Sequence, residues 1–117
     1  MNKDISSFFK IKIQVGKNLS IGPGKVALLE SIISKGSISS AAKAMGMSYR
    51  KAWKLITEIN DASLNKIIIT NTGGKGIGGT KISPEGQKFI KTFRAIEKKV
   101  LTEVTKEKKY LKKIFTK

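Results

Sequence analysis

Two stretches of this chain hold residues whose types and spacing could do chemistry on phosphate. The first is glycine-rich: Gly74-Lys75-Gly76-Ile77-Gly78-Gly79 fits the pattern G-x-G-x-x-G. In a dinucleotide site such glycines turn a strand directly into a helix, whose free N–H groups then face pyrophosphate. Here a further extended segment, Thr80-Lys81-Ile82, separates the glycines from the next helix start at Ser83. No repeated strand-helix alternation is present to build a parallel sheet. The acid near the expected spacing, Glu97, falls on a predicted helix rather than at a strand end. No Gly-Lys pair is followed by Ser or Thr, so the Walker-type phosphate loop fails as well. What the stretch suits is the tip of a β-hairpin, where glycines accept positive φ and let the backbone approach a phosphate chain without side-chain bulk. Thr72, Gly73, Gly74, Lys75, Gly76 and Thr80 are the candidate contacts, with Lys75 as a point charge at the tip. The alternative reading is a loop that contacts nothing.

The second stretch is Ser48-Tyr49-Arg50-Lys51-Ala52-Trp53-Lys54. Arg50 has the forked geometry to pair bidentately with guanine, while Lys51 and Lys54 can neutralise phosphates. Ser48 offers a hydroxyl and the N–H groups of a helix end to a phosphate oxygen. Tyr49 suits a thymine methyl or a sugar. Trp53 neighbours Ala52 and Ile56 on the helix wheel and lies one turn beyond Tyr49, so core or wing packing competes with base contact. The lysines alone would read as a solvated helix face; their position at a helix start gives them meaning.

That position depends on the elements around them. Phe9, Ile11, Ile13 and Val15 alternate with polar residues and predict a strand near 8–15. After Gly22-Pro23-Gly24, Val26, Leu28, Leu29, Ile32 and Ile33 recur at helical spacing until Gly36, predicting a helix over about 24–35. Ser37 caps a short helix over 38–45, rich in the small residues Ser40, Ala41, Ala42 and Ala44. Gly46 ends it, and Ser48 caps a longer helix over 49–60 with Ala52, Ile56 and Ile59 inward. Two helices joined by a short glycine-containing turn carry the spacing of a helix-turn-helix. Ile67-Ile68-Ile69 and Thr80-Lys81-Ile82 read as the two extended arms of the hairpin. Ser83-Pro84-Glu85 then starts a helix that runs to about 105, or on to 114, longer than one small domain is wide. Part of its apolar face is expected to meet a second subunit. The expected organisation is a DNA-binding domain over 1–105 and a basic helical extension or tail over 106–117.

Composition narrows the function. The 117 residues hold 24 Lys+Arg against 8 Asp+Glu, a formal net charge of +16, and so dense a charge calls for an anionic partner. There is no cysteine and no histidine, which removes disulfides, thiolate chemistry, the usual zinc ligands and the commonest general base. No enzyme activity, cofactor or metal is expected. No apolar run approaches a membrane span and "MNKDISSFFKIK" lacks the plan of a signal peptide, so a soluble cytoplasmic protein is expected, with no membrane partner. The expected partner is double-stranded DNA. The rival reading is an architectural DNA- or RNA-binding protein without sequence preference.

The words "GSISSAAKAMGMSYRKAW" at 36–53 and "TGGKGIGGTKISPEGQKFI" at 72–90 give the chain a family likeness. From about residue 8 to about 100 it resembles the N-terminal DNA-binding domain of the molybdate-responsive transcriptional regulators, the ModE family, itself similar to the LysR-type helix-turn-helix. The resemblance implies a mainly α fold with a small β component: a winged helix-turn-helix with a long C-terminal dimerisation helix, binding a palindromic operator as a homodimer. It implicates Ser48, Tyr49, Arg50, Lys51 and Trp53 at the DNA and Thr72 to Thr80 in the wing. Family members that sense molybdate do so through a further C-terminal domain that these residues do not supply. The expectation is that this chain binds no molybdate itself, and that it responds to something else, borrows a separate effector-sensing protein or is constitutive.

Overall fold

The computed structural model describes residues 9–71 and 79–116. Its elements run β1 (Ile13–Val15), β2 (Leu19–Ile21), α1 (Pro23–Lys35), α2 (Ile38–Ala44), α3 (Tyr49–Ala62), β3 (Ile68–Asn71), β4 (Gly79–Ile82) and α4 (Pro84–Phe115). The fold is mainly α with two small antiparallel hairpins, β1 with β2 and β3 with β4.

The predicted first strand is shorter than expected, because only Ile13, Gln14 and Val15 find partners, in Ile21, Ser20 and Leu19. Its alternation persists upstream: Phe9, Ile11 and Ile13 are half-buried while Lys10, Lys12 and Gln14 are exposed. Gly16, at φ +68°, turns the chain into β2, a three-residue strand too short for periodicity to register.

α1 lies at the centre. Val26, Leu28, Leu29 and Ile32 are fully buried, and the helix packs on α2, β4 and α4. Pro23 opens it and Gly36, at φ +81°, closes it by donating its N–H to the Ile32 carbonyl. Ile33, read as part of the inner stripe, is instead half-exposed near the last turn.

The second hairpin is held from two sides. Asn60, at the end of α3, accepts the N–H groups of Ile67 and Ile68 on Oδ1 at 2.9 and 3.0 Å and donates Nδ2 to the Ile68 carbonyl at 2.9 Å. From the other side, Thr80 donates its N–H to the Gly36 carbonyl at 3.2 Å, tying β4 to the α1–α2 turn. The register pairs Ile68 with Ile82 and Asn71 with Gly79, so the glycine-rich segment joins two antiparallel strands.

α4 begins at Ser83, whose hydroxyl accepts the Gly86 N–H and whose own N–H donates to the Ile67 carbonyl at 2.9 Å. Gly86 sits so close to the hairpin that a Cβ there would lie 2.6 Å from Ile82 Cγ2 and 2.9 Å from Ile67 Cγ2. Ile90 and Phe93 bury against the body. Next to Phe93, Arg94 grips Glu30 of α1 with two bonds, Nε to Oε2 at 3.1 Å and Nη2 to Oε1 at 2.7 Å, and reaches Glu97 at 2.8 Å. Bonding to Glu30 raises the guanidinium pKa further above its already high value. Beyond this grip α4 continues as helix to Phe115. At 32 residues it is about 48 Å long, and the molecule measures 62 × 28 × 21 Å.

Candidate nucleic-acid interface

The helix-turn-helix geometry follows from small residues. Ala41 and Ala42 of α2 and Ala52 of α3 are buried, which lets the two helices pack closely. The turn is fixed by Gly46, at φ +68°, and by the Met47 N–H bonded to the Ala42 carbonyl at 3.0 Å. Ser48 caps α3 by accepting the Lys51 N–H at 3.1 Å. The cap leaves the hydroxyl proton available to an acceptor outside the helix.

α3 divides cleanly by side. Ala52, Ile56 and Ile59 are buried, as their spacing predicts, while Tyr49, Arg50, Lys51, Trp53 and Lys54 are all exposed. By helical periodicity Arg50 and Lys54 form the outermost ridge, Lys51 lies to one side, and Tyr49 and Trp53 lie to the other. Core packing of Trp53 is ruled out: 45% of it is exposed, and its ring stacks on Tyr49 with centroids 6.4 Å apart and planes 13° from parallel. Among the described residues no carboxylate pairs with Arg50, Lys51 or Lys54; the ion pairs there include Lys25–Glu58, Arg94–Glu30, Arg94–Glu97 and Lys106–Glu103.

The charges on α3 run against its own dipole. Arg50 and Lys51 occupy the positive N-terminal turn, which holds no acid, and Asp61 stands at the negative end, which holds no base. Each such placement costs about 0.3–1 kcal/mol of helix stability. α4 shows the ordinary arrangement, with Glu85 in the first turn and Lys112 and Lys113 in the last. A cation held at an unfavourable helix end and left unpaired is well placed for an anion brought from outside.

Among the wing candidates, Thr80 is half-buried on β4 with its N–H engaged by Gly36. Thr72, Gly73, Gly74, Lys75 and Gly76 lie outside the described residues. The antiparallel pairing on either side of the G-x-G-x-x-G stretch is at odds with the strand-to-helix turn that pyrophosphate binding needs. Among the described residues no group of three or more His, Cys, Asp or Glu side chains could hold a metal ion, and no helix is long and apolar enough to cross a membrane. The interactions not foreseen from sequence are structural: the Asn60 brace and the Arg94–Glu30 grip each join residues far apart in the chain or in different elements.

No family model matches the chain. Curated relatives do. It is 36% identical over 83 residues to the DNA-binding transcriptional dual regulator ModE of Escherichia coli, a match covering 71% of this chain and 32% of that protein. It is 39% identical over 77 residues to the molybdenum-pterin-binding protein MopB of Rhodobacter capsulatus, covering 66% of this chain and 28% of the relative. With the transcriptional regulator ModE of Haemophilus influenzae it shares 33% identity over 96 residues, 82% of this chain and 37% of that one. The chain thus spans about a third of the length of the curated relatives it matches. The expected likeness to the ModE regulators is upheld.

Proposed function

We propose, from the kinship of this chain with the ModE regulators, that it is a sequence-specific DNA-binding unit of transcription control, acting as a homodimer on a palindromic operator. The observation that carries the reading is the cluster Arg50, Lys51 and Lys54 on the exposed side of α3, without an acidic partner among the described residues and with Arg50 and Lys51 set against the helix dipole. In this reading α3 enters the major groove by its N-terminal end. Arg50 reads a guanine, Lys51, Lys54 and Ser48 hold phosphates, and the hairpin carries Thr72, Gly73, Gly74, Lys75, Gly76 and Thr80 to the flanking backbone.

The dimer reading rests on α4. Past Phe93 its inward face continues at helical spacing as Ile96, Val100, Leu101, Val104 and Leu111, of which Leu101 and Val104 are half-buried and the others exposed. A second copy is the simplest partner for a face of that length. Two α3 helices would then address half-sites about one turn of DNA apart. The cytoplasm is the expected setting, with any effector sensed by a separate protein or domain and none bound by the residues described.

The net charge of +16 favours a second reading, an architectural binder without sequence preference. One experiment separates them. Purified protein is mixed with sheared genomic DNA near physiological salt and the retained fragments are sequenced. One enriched palindromic motif supports the operator reading; uniform retention overturns it in favour of the architectural one.

A further inference from the structure

The exposed aromatic pair on α3 is not accounted for by phosphate binding. Tyr49 is 55% and Trp53 45% exposed, yet the two rings are stacked on one another and form a continuous aromatic flank one helical turn long. Among the described residues neither side chain has a hydrogen bond, so their one recorded side-chain interaction is with each other. Stacking favours the arrangement of the two rings in the free protein, which reduces the rotamer freedom to be lost on binding. The flank runs beside the Arg50 and Lys54 ridge, so any duplex that those cations draw in meets the rings at the same time.

An aromatic flank needs an apolar partner. Along the floor of the major groove, the edges of adenine, guanine and cytosine present hydrogen-bond donors and acceptors, and thymine alone adds a methyl group. The geometry points to the Tyr49–Trp53 stack as a reader of thymine 5-methyl groups in duplex DNA. The pair lies four residues apart, a rise of about 6 Å along α3, and neighbouring base pairs are stacked about 3.4 Å apart. The rings therefore suit methyls on one base pair or on two adjacent ones in each half-site. This inference rests on the operator reading above and gives it a base preference that Arg50 cannot supply.

The test starts from the duplex motif selected from genomic DNA. Each thymine is replaced singly by deoxyuridine, which removes the methyl and keeps the pairing edge. Affinity is followed by anisotropy of a labelled duplex and, for the unaltered protein, by the emission of Trp53, the sole tryptophan. One or two adjacent positions per half-site are expected to lose about fourfold in affinity, the worth of one buried methyl. The loss should vanish in Trp53→Ala or in Tyr49→Ala, two variants that leave the buried face of α3 untouched. Selective binding with every deoxyuridine neutral overturns the inference and leaves the operator reading standing. A penalty that persists in both variants also overturns it, since another residue then reads the methyl. If no motif is selected at all, the operator reading fails and this inference fails with it.

Discussion

Replacing Gly86 by alanine sets two opposing effects against each other, and the structure decides the sign. A Cβ at this position would lie 2.6 Å from Ile82 Cγ2, 2.9 Å from Ile67 Cγ2 and 3.0 Å from the Ile67 carbonyl oxygen. Carbon atoms in contact ordinarily sit about 3.5–4.0 Å apart, so the overlap approaches an ångström on two sides at once. Both methyl groups belong to β-branched side chains with stiff χ1, and the third atom is backbone already engaged by the Ser83 N–H. Relief therefore requires α4 to lift from the hairpin, and overpacking of this kind costs about 1–3 kcal/mol. Helix propensity acts the other way, favouring alanine over glycine by up to about 1 kcal/mol. The net expectation is a loss of about 1–2 kcal/mol, which in a small domain lowers Tm by roughly 4–15 °C. Urea denaturation followed by far-ultraviolet circular dichroism, at fixed protein concentration, should show a lower midpoint with an unchanged slope. An unchanged or raised midpoint would refute the seating of α4 on Ile67 and Ile82 as described.

Three other expectations follow from neighbouring features. Asn60→Ala removes an acceptor for two N–H groups and a donor to a carbonyl, and should cost about 2–4 kcal/mol in chemical denaturation. Lys51→Glu should stabilise the fold by about 0.3–1 kcal/mol by relieving the dipole conflict, while weakening DNA binding in a mobility-shift assay; a variant that is both less stable and still binding contradicts the electrostatic account. Val104→Lys, at a half-buried position on the apolar face of α4, should yield a monomer in sedimentation equilibrium with unchanged helical content, and a persisting dimer places the interface elsewhere.

Features governed by near neighbours in sequence were legible. Ser37, Ser48 and Ser83 each accept the N–H three residues on, as their position before a periodic run implies, and Gly36 and Gly46 adopt positive φ where the helical patterns stop. The Ala52, Ile56 and Ile59 stripe of α3 is buried as read. Features that depend on distant residues were not. Nothing local marks Asn60 as the brace of a strand that starts eight residues later, or Arg94 as the partner of Glu30, because each needs the tertiary fold to bring its partner near. Ile33 fails for a related reason: it sits beside the buried stripe of α1, and which flank the neighbouring element covers is set by packing angle rather than by spacing, which is also why spacing left the choice at Trp53 open. β2 was missed because three residues carry no measurable period.

The two fastenings near the start of α4, the Gly86 seat on the hairpin and the Arg94 grip on α1, turn the rest of the helix into a lever arm. From Arg94 to Phe115 the arm is roughly 32 Å long, so a tilt of about 10° at the fulcrum would swing its tip by more than 5 Å. If two arms are joined, the gearing also runs in reverse. A force applied far out along the helices would then pass through the joint at Gly86 and Arg94 to the body that carries α3.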